Sequence, residues 1–264
     1  MKKALLVISF GTSYAETCRK NIRACEQRLA EAFPDRDLFS AFTSEMIIAK
    51  LARRDGLQID NPRQALMRLA EAGYQDVLVQ SLHIINGDEF DKVAGQVQAF
   101  APRFVHLSLG LPLLSEHRDF DRLIEAMLAQ CPRLAADERV IFMGHGATHH
   151  AFAAYACLDH MLMSRDLPVM VGAVESYPEI STLLTRLQQQ QVRKVHLMPL
   201  MLVAGDHAIN DMAADDEDSW KGQLARVGIE AQPWLQGLGE NPLIQQLFLD
   251  HLQAVERRTT EEAA

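Results

Sequence analysis

Three side chains able to hold a divalent cation stand where apolar runs end in the second half of this chain: His145, Glu175 and His207. Two imidazoles and a carboxylate form a borderline donor set, suited to cobalt, iron, nickel or zinc. Three protein donors leave coordination positions open, whereas a closed four-donor cage retains its ion. Glycines flank two of the three, in Gly144-His145-Gly146 and Gly205-Asp206-His207. Glycine beside a polar residue lets the backbone approach a ligand closely. The same spacing is also met by two ordinary loop histidines and a glutamate that caps a helix beginning near Pro178. Asp211 and Asp215 follow His207 by four and eight residues along one side of a predicted helix. They fit an acidic track leading cations to His207 or, more simply, a solvated face.

These positions belong to an internal repeat. Val77–Glu89 matches Val195–His207 at one offset (207 − 89 = 118), which pairs Leu82 with Leu200, Gly87 with Gly205, Asp88 with Asp206 and Glu89 with His207. Leu6–Gly11 matches the segment ending at Gly146 (146 − 11 = 135), and sets Phe10 against His145. Ala41-Phe42-Thr43-Ser44 resembles Ala173-Val174-Glu175-Ser176 (175 − 43 = 132), and sets Thr43 against Glu175. The repeat predicts two similar halves facing each other across a cleft, with Glu89 opposite the His145, Glu175 and His207 group. Glu89 fits equally well as an acid favoured at a helix N-terminus.

The elements that must position these residues alternate. Strands are predicted at 4–8, 76–82, 104–109, 139–143, 169–174 and 194–200, and helices at roughly 89–100, 118–130, 179–190 and 241–256. Ser13-x-x-Glu16 forms a capping box ahead of a helix carrying Cys18, Ile22, Cys25 and Leu29 on one face. Asn61-Pro62 starts another helix and Gly73 ends it. Continuous apolar strands between helices imply parallel sheets covered on both faces. The expected architecture is α/β, with two Rossmann-like lobes at about 1–130 and 131–264. Each would be a parallel four- or five-stranded sheet flanked by helices, with its strand C-termini at the cleft. The second lobe would carry most of the metal donors. Arg257 to Ala264 reads as frayed.

Composition excludes several function classes. A net charge of −9 argues against non-specific nucleic-acid binding. No apolar run approaches a membrane span, and Met1-Lys2-Lys3 opens a strand rather than a leader. Cys18, Cys25, Cys131 and Cys157 lack disulfide or zinc-ribbon spacing, so a cytoplasmic protein with reduced, mostly buried thiols is expected. Walker A, Gly-x-Gly-x-x-Gly, Gly-x-Ser-x-Gly and His-Glu-x-x-His patterns are missing. Nucleotide-dependent catalysis and serine hydrolysis therefore lack support. His106, His117, His160, His196 and His251 have no companions at ligand spacing and read as structural or surface residues.

Three segments carry a resemblance: Leu6–Ser13, the Gly144-His145-Gly146 turn, and Gly205-Asp206-His207-Ala208-Ile209-Asn210-Asp211-Met212. Over essentially the whole chain, the sequence resembles the class II tetrapyrrole chelatases, which are similar to ferrochelatase, and most of all the cobalt chelatases of anaerobic cobalamin synthesis. The resemblance implies ATP-independent insertion of Co2+ into sirohydrochlorin or its precorrin-2 precursor, with no nucleotide. Iron or nickel insertion into the same macrocycle, and a non-catalytic tetrapyrrole or metal carrier, are the alternatives. It further implies that His145, Glu175 and His207 bind the metal, that His145 accepts a macrocycle proton, and that Glu89 acts from across the cleft. An ordinary histidine titrates near ~6.5, so a neutral imidazole is a suitable acceptor. Phe10, Leu202 and Val203 are expected to contact the flat macrocycle, and the Gly11-Thr12-Ser13 amides its carboxylates, with His83 and Gly87 completing the lining. The shortest members of this family encode one half and dimerise. This chain carries both halves, which leaves homo-oligomer formation open.

Overall fold

The computed structural model describes residues 1–262. These form two compact units, one of Met1–Asp119 plus the segment returning from Pro242, the other of Phe120–Asn241.

The first unit runs β1 (Lys3–Ser9), α1 (Ala15–Thr17), a π-helical stretch Cys18–Arg23, α2 (Ala24–Ala32), β2 (Asp37–Phe42), α3 (Glu45–Asp55), α4 (Pro62–Glu71), β3 (Asp76–Ser81), α5 (Asp88–Phe100), β4 (His106–Gly110) and the start of α6 (His117–Gln130). Its sheet has the order β2-β1-β3-β4, with every pair parallel. Leu5, Leu6 and Ile8 of β1 are fully buried, which is why the strand reads as an unbroken apolar run. Each such side chain contributes about 1.5–3 kcal/mol by leaving water. The helix signals at 61–73 hold: Asn61 and Gln64 cap each other reciprocally, Pro62 takes the first turn, and Gly73 ends the segment at φ +77°. The capping box at Ser13 does not form. Tyr14 takes the cap position without a side-chain bond, and Glu16 pairs instead with Arg19 at 2.8 Å and Lys20 at 3.4 Å. Ser13 is buried and its carbonyl accepts from Arg54 at 2.7 Å.

The second unit continues with β5 (Glu138–Gly144), α7 (Ala153–Ser164), β6 (Val169–Ala173), α8 (Ile180–Gln189), β7 (Lys194–Pro199), α9 (Trp220–Arg226) and β8 (Glu230–Pro233), ordered β6-β5-β7-β8 and again parallel. The short, half-exposed β8 offers no apolar run and was not foreseen. Last comes α10 (Pro242–Glu262), which packs on α2, β3 and β4 of the first unit. The division therefore falls after Asp119, not at 130/131, and the terminal helix belongs to the first unit. Ile244, Leu247, Phe248 and Leu252 drive that return by burying an apolar stripe. His251 Nδ1 donates to the Leu111 carbonyl at 3.2 Å, and its Nε2 lies 3.1 Å from Asp119. The helix runs through Glu262, past the expected fraying at 257, while Ala263 and Ala264 lie outside the described residues. None of the four cysteines is in a disulfide, but the expectation of mostly buried thiols fails: Cys25 is buried, Cys18 and Cys131 are half-buried and Cys157 is exposed. Among the described residues no helix is long and apolar enough to cross a membrane.

The backbone hydrogen bonds test the repeat residue by residue. Leu82 N donates to Ile8 O at 2.8 Å in one unit, and Leu200 N to Met143 O at 2.7 Å in the other. Asp91 N meets Gly87 O at 3.0 Å as Ile209 N meets Gly205 O at 3.1 Å, so the offset of 118 (209 − 91) is a structural equivalence. The Thr43 pairing needs correction. Thr43 N meets Ser9 O as Val174 N meets Gly144 O, and Ser44 N meets Phe10 O as Glu175 N meets His145 O. Glu175 therefore corresponds to Ser44 (175 − 44 = 131), the residue that caps α3. A one-residue slip is invisible in a four-residue match and decisive in a ladder.

Candidate functional site

In the second unit, β5 ends at Gly144, and the buried Tyr155 ring lies directly against that glycine. A Cβ there would stand 2.4 Å from Tyr155 Cε1. Burial pushes the Tyr155 hydroxyl up to about 12, so it is a neutral support beneath the turn. Gly146 follows at φ +92°, and a Cβ on it would stand 2.8 Å from Ser176 Oγ and 2.9 Å from Ser176 N. This close approach lets Ser176 Oγ accept from Ala147 N at 3.3 Å and the His145 carbonyl accept from Glu175 N at 3.0 Å. The two strand-end loops are thereby pinned together.

That pinning brings the side chains into one group. His145 Nδ1 lies 3.8 Å from Glu175 Oε2, and the His145 and His207 rings meet edge to face with centroids 4.5 Å apart. His145 Nδ1 is 3.1 Å from the Gly146 carbonyl, and His207 Nδ1 is 2.6 Å from Asp211 Oδ2. Both partners are acceptors, so each Nδ1 carries a proton, and in the neutral form of each ring the lone pair is on Nε2. The three side chains are 37–51% exposed and so reachable from solvent. Among the described residues no group of three or more His, Cys, Asp or Glu side chains is arranged to hold a metal ion, so these three lie near one another without having converged on one point. His207 leads into a π-helical turn, Ala208–Met212, anchored by the buried Ala208 and Met212. Such wide turns recur at functional sites. On the approach to it, Leu202 is buried and Val203 half-buried.

Other histidines and acids fall elsewhere. Asp215 sits beyond the turn, paired with Lys221 at 2.5 Å, so no acidic track runs along a helix face. His149 and His150 stack with centroids 3.8 Å apart before α7, outside the group. His196 accepts from Trp234 Nε1 at 3.1 Å and is structural, as expected.

In the first unit Phe10 is 47% exposed at the end of β1. Gly11 adopts φ +95° against the Phe42 ring, while Thr12 and Ser13 are buried, so that loop offers solvent the Phe10 side chain and little else. Gly87 is buried at the N-cap of α5. His83 is not an open lining residue: its Nδ1 lies 2.7 Å from Ser81 Oγ and its enclosed Nε2 has no hydrogen-bond partner. Desolvation brings its pKa down to about 4, against a weaker upward pull from Glu89. Glu89 opens α5 and accepts from Lys92 at 2.7 Å. Burial alone would raise its pKa, but the Lys92 ammonium and the Thr43 hydroxyl outweigh it and hold the carboxyl below its ordinary range. Glu89 and Lys92 line a pocket of about 240 Å³ with Thr43, Glu45, Asn61 and Gln96. Sequence reasoning missed this pocket, and missed Tyr155 and Ser176 as supports. Only Asp211 left a usable trace, its spacing of four from His207.

Comparison with known proteins agrees with this architecture. A family model described as cobalt chelatase (CbiK) matches residues 3–257. The sirohydrochlorin cobaltochelatase of Salmonella typhimurium is 61% identical over 264 residues, covering 100% of both chains. The sirohydrochlorin cobaltochelatase CbiKC of Nitratidesulfovibrio vulgaris is 35% identical over 256 residues, covering 96% of this chain and 90% of that protein. Among solved structures, SirB from Bacillus subtilis with Fe3+ superposes with TM-score 0.63 at 13% identity, covering 97% of this chain and 96% of that one. CbiX, the terminal enzyme for biosynthesis of siroheme in denitrifying bacteria, gives TM-score 0.52 at 15% identity, covering 95% and 98%. Both structural likenesses concern the fold alone. On the family match over residues 3–257 and two relatives aligned along nearly the whole sequence, this chain belongs to the cobalt chelatase (CbiK) family.

Proposed function

We propose that this chain inserts Co2+ into sirohydrochlorin, and that His145, Glu175 and His207 receive the cation. The observation that carries the assignment is the grouping of those three side chains at pinned strand ends in a cobalt chelatase family member. Metal insertion strips water from the cation and removes two protons from pyrrolic nitrogens. Two Nε2 lone pairs and a carboxylate replace departing waters one by one, and the exposed side chains turn about their own bonds to meet one ion. Three donors leave coordination positions open, so the ion passes to the four nitrogens of the macrocycle without a four-donor cage to break.

His145 serves twice. Its Nε2 is a metal donor first and, once the ion has moved on, a free base for a pyrrolic proton. The Gly146 carbonyl keeps Nδ1 protonated, so the basic nitrogen stays outward. While the cation is present it disfavours imidazolium, which orders the two events. Glu89, held ionised in the first unit, is assigned the second proton-handling role.

The test follows sirohydrochlorin absorbance with Co2+ in excess. His145→Ala should lower turnover by about 10²–10⁴-fold, as expected for loss of a general base, with its circular dichroism unchanged. Near-wild-type turnover by that variant would remove His145 from the mechanism.

A further inference from the structure

The internal repeat carries one more step. At the position equivalent to His207 the first unit has Glu89, and at the position equivalent to Asp211 (211 − 118 = 93) it has Val93, a buried core residue. The second unit thus differs from the first at two linked places, four residues apart: where a carboxylate becomes an imidazole, a core valine becomes an aspartate. The two new side chains touch, His207 Nδ1 to Asp211 Oδ2 at 2.6 Å. Asp211 is 45% exposed, His207 is its partner in the ion pairs described, and it lies in the π-helical turn anchored by Ala208 and Met212.

We propose that Asp211 is the positioning residue of the metal site: it fixes His207 as the Nδ1–H tautomer and aims Nε2 at the incoming cation. A glutamate at the same place needs no such partner, because either oxygen binds a cation in any rotation. An imidazole has one usable nitrogen at a time and must be held the right way round. A carboxylate on the distal nitrogen also raises the basicity of the ligating one, and loss of such a partner typically weakens metal binding about 10–100-fold. The alternative is an ordinary helical i,i+4 pair, whose removal would barely move the unfolding midpoint and would leave metal binding alone.

The inference rests on His207 binding Co2+, so the experiment includes His207→Ala. Co2+ alone is titrated into the full chain without macrocycle, following the cobalt visible bands, for the wild type, Asp211→Ala, Asp211→Val and His207→Ala. Histidine tautomers are read from long-range 15N–1H spectra, and sirohydrochlorin alone is titrated in parallel. Asp211→Ala and Asp211→Val should each weaken Co2+ binding by roughly 10–100-fold and move the His207 ring away from a pure Nδ1–H signature. They should leave macrocycle affinity and the unfolding midpoint unchanged, and raise the KM for Co2+ more than they lower kcat. Unchanged Co2+ affinity in the Asp211 variants while His207→Ala loses it would overturn the role of Asp211 alone. Unchanged affinity in His207→Ala would instead sink the underlying metal assignment. Equal weakening of macrocycle and metal binding would show a structural role and also overturn the inference.

Discussion

Gly146→Ala separates backbone strain from site geometry, and its size follows from the structure. Glycine at φ +92° has no Cβ to clash with its own backbone, and an L-residue in the left-handed region costs about 1–2 kcal/mol. Here the new methyl also meets main-chain atoms, Ser176 N at 2.9 Å and Glu175 N at 3.0 Å, which cannot swing aside as a flexible side chain would. Overpacking of this kind costs about 1–3 kcal/mol, so the total is about 2–5 kcal/mol. Gly56 is the control. It has φ +66° with nothing within 4 Å of a built Cβ, so Gly56→Ala should cost only the backbone part, about 1–2 kcal/mol. In thermal melts, a chain of this size loses roughly 2–4 °C per kcal/mol, which separates the two variants. Turnover should separate them further. Relief for the methyl separates the Gly146 turn from the Glu175 segment and so His145 from Glu175, and a shift of ~1 Å in a positioned group costs about 10²-fold in rate. Gly56→Ala should retain near-wild-type turnover at a temperature where both are folded. If Gly146→Ala matches Gly56→Ala in both melting temperature and turnover, the pinned-loop account of the site is wrong.

His83 makes stability depend on pH. Its native pKa of about 4 lies below the ordinary value of ~6.5, so between those values the unfolded state binds a proton that the native state refuses. Stability therefore falls as pH drops from ~6.5 towards 4, by at most about 3 kcal/mol. Urea unfolding of His83→Gln should show a flatter acid limb than the wild type, and parallel curves would refute the assignment of that limb to His83. Glu89→Gln keeps the shape but removes the charge that Lys92 stabilises. Turnover should drop by about 10–100-fold with Co2+ affinity unchanged, and an equal loss of Co2+ affinity would place Glu89 among the metal donors instead.

Much of this molecule is legible before folding because its central strands are buried on both faces. Leu5, Leu6 and Ile8 announce β1, and Val140, Ile141 and Phe142 announce β5, by unbroken hydrophobicity. The repeat at offset 118 is legible for a similar reason, since Gly87 and Gly205 keep the same backbone role in both units. What the residues alone do not reveal is decided by partners distant in sequence. Glu16 leaves its capping box for Arg19 and Lys20. Glu175 shifts by one residue to match Ser44 once the strand ladder sets the register. The terminal helix rejoins the first unit because Phe248 and Leu252 find an apolar face there. His145, Glu175 and His207 were identifiable from their residue types and flanking glycines. Of their supports, Asp211 left a trace in its spacing of four from His207, whereas Tyr155 and Ser176 gained meaning only from the packing.

Catalytic transfer of cobalt is distinguished from stoichiometric binding by the number of product molecules formed per chain in a single vessel. The chain is mixed with a large excess of sirohydrochlorin and Co2+ in the absence of nucleotide, and the cobalt-macrocycle spectrum is followed to completion. Many equivalents of product per chain are expected, formed at a rate proportional to protein and lost in His145→Ala. Product that stops at one equivalent per chain, or forms equally fast with His145→Ala, would contradict it.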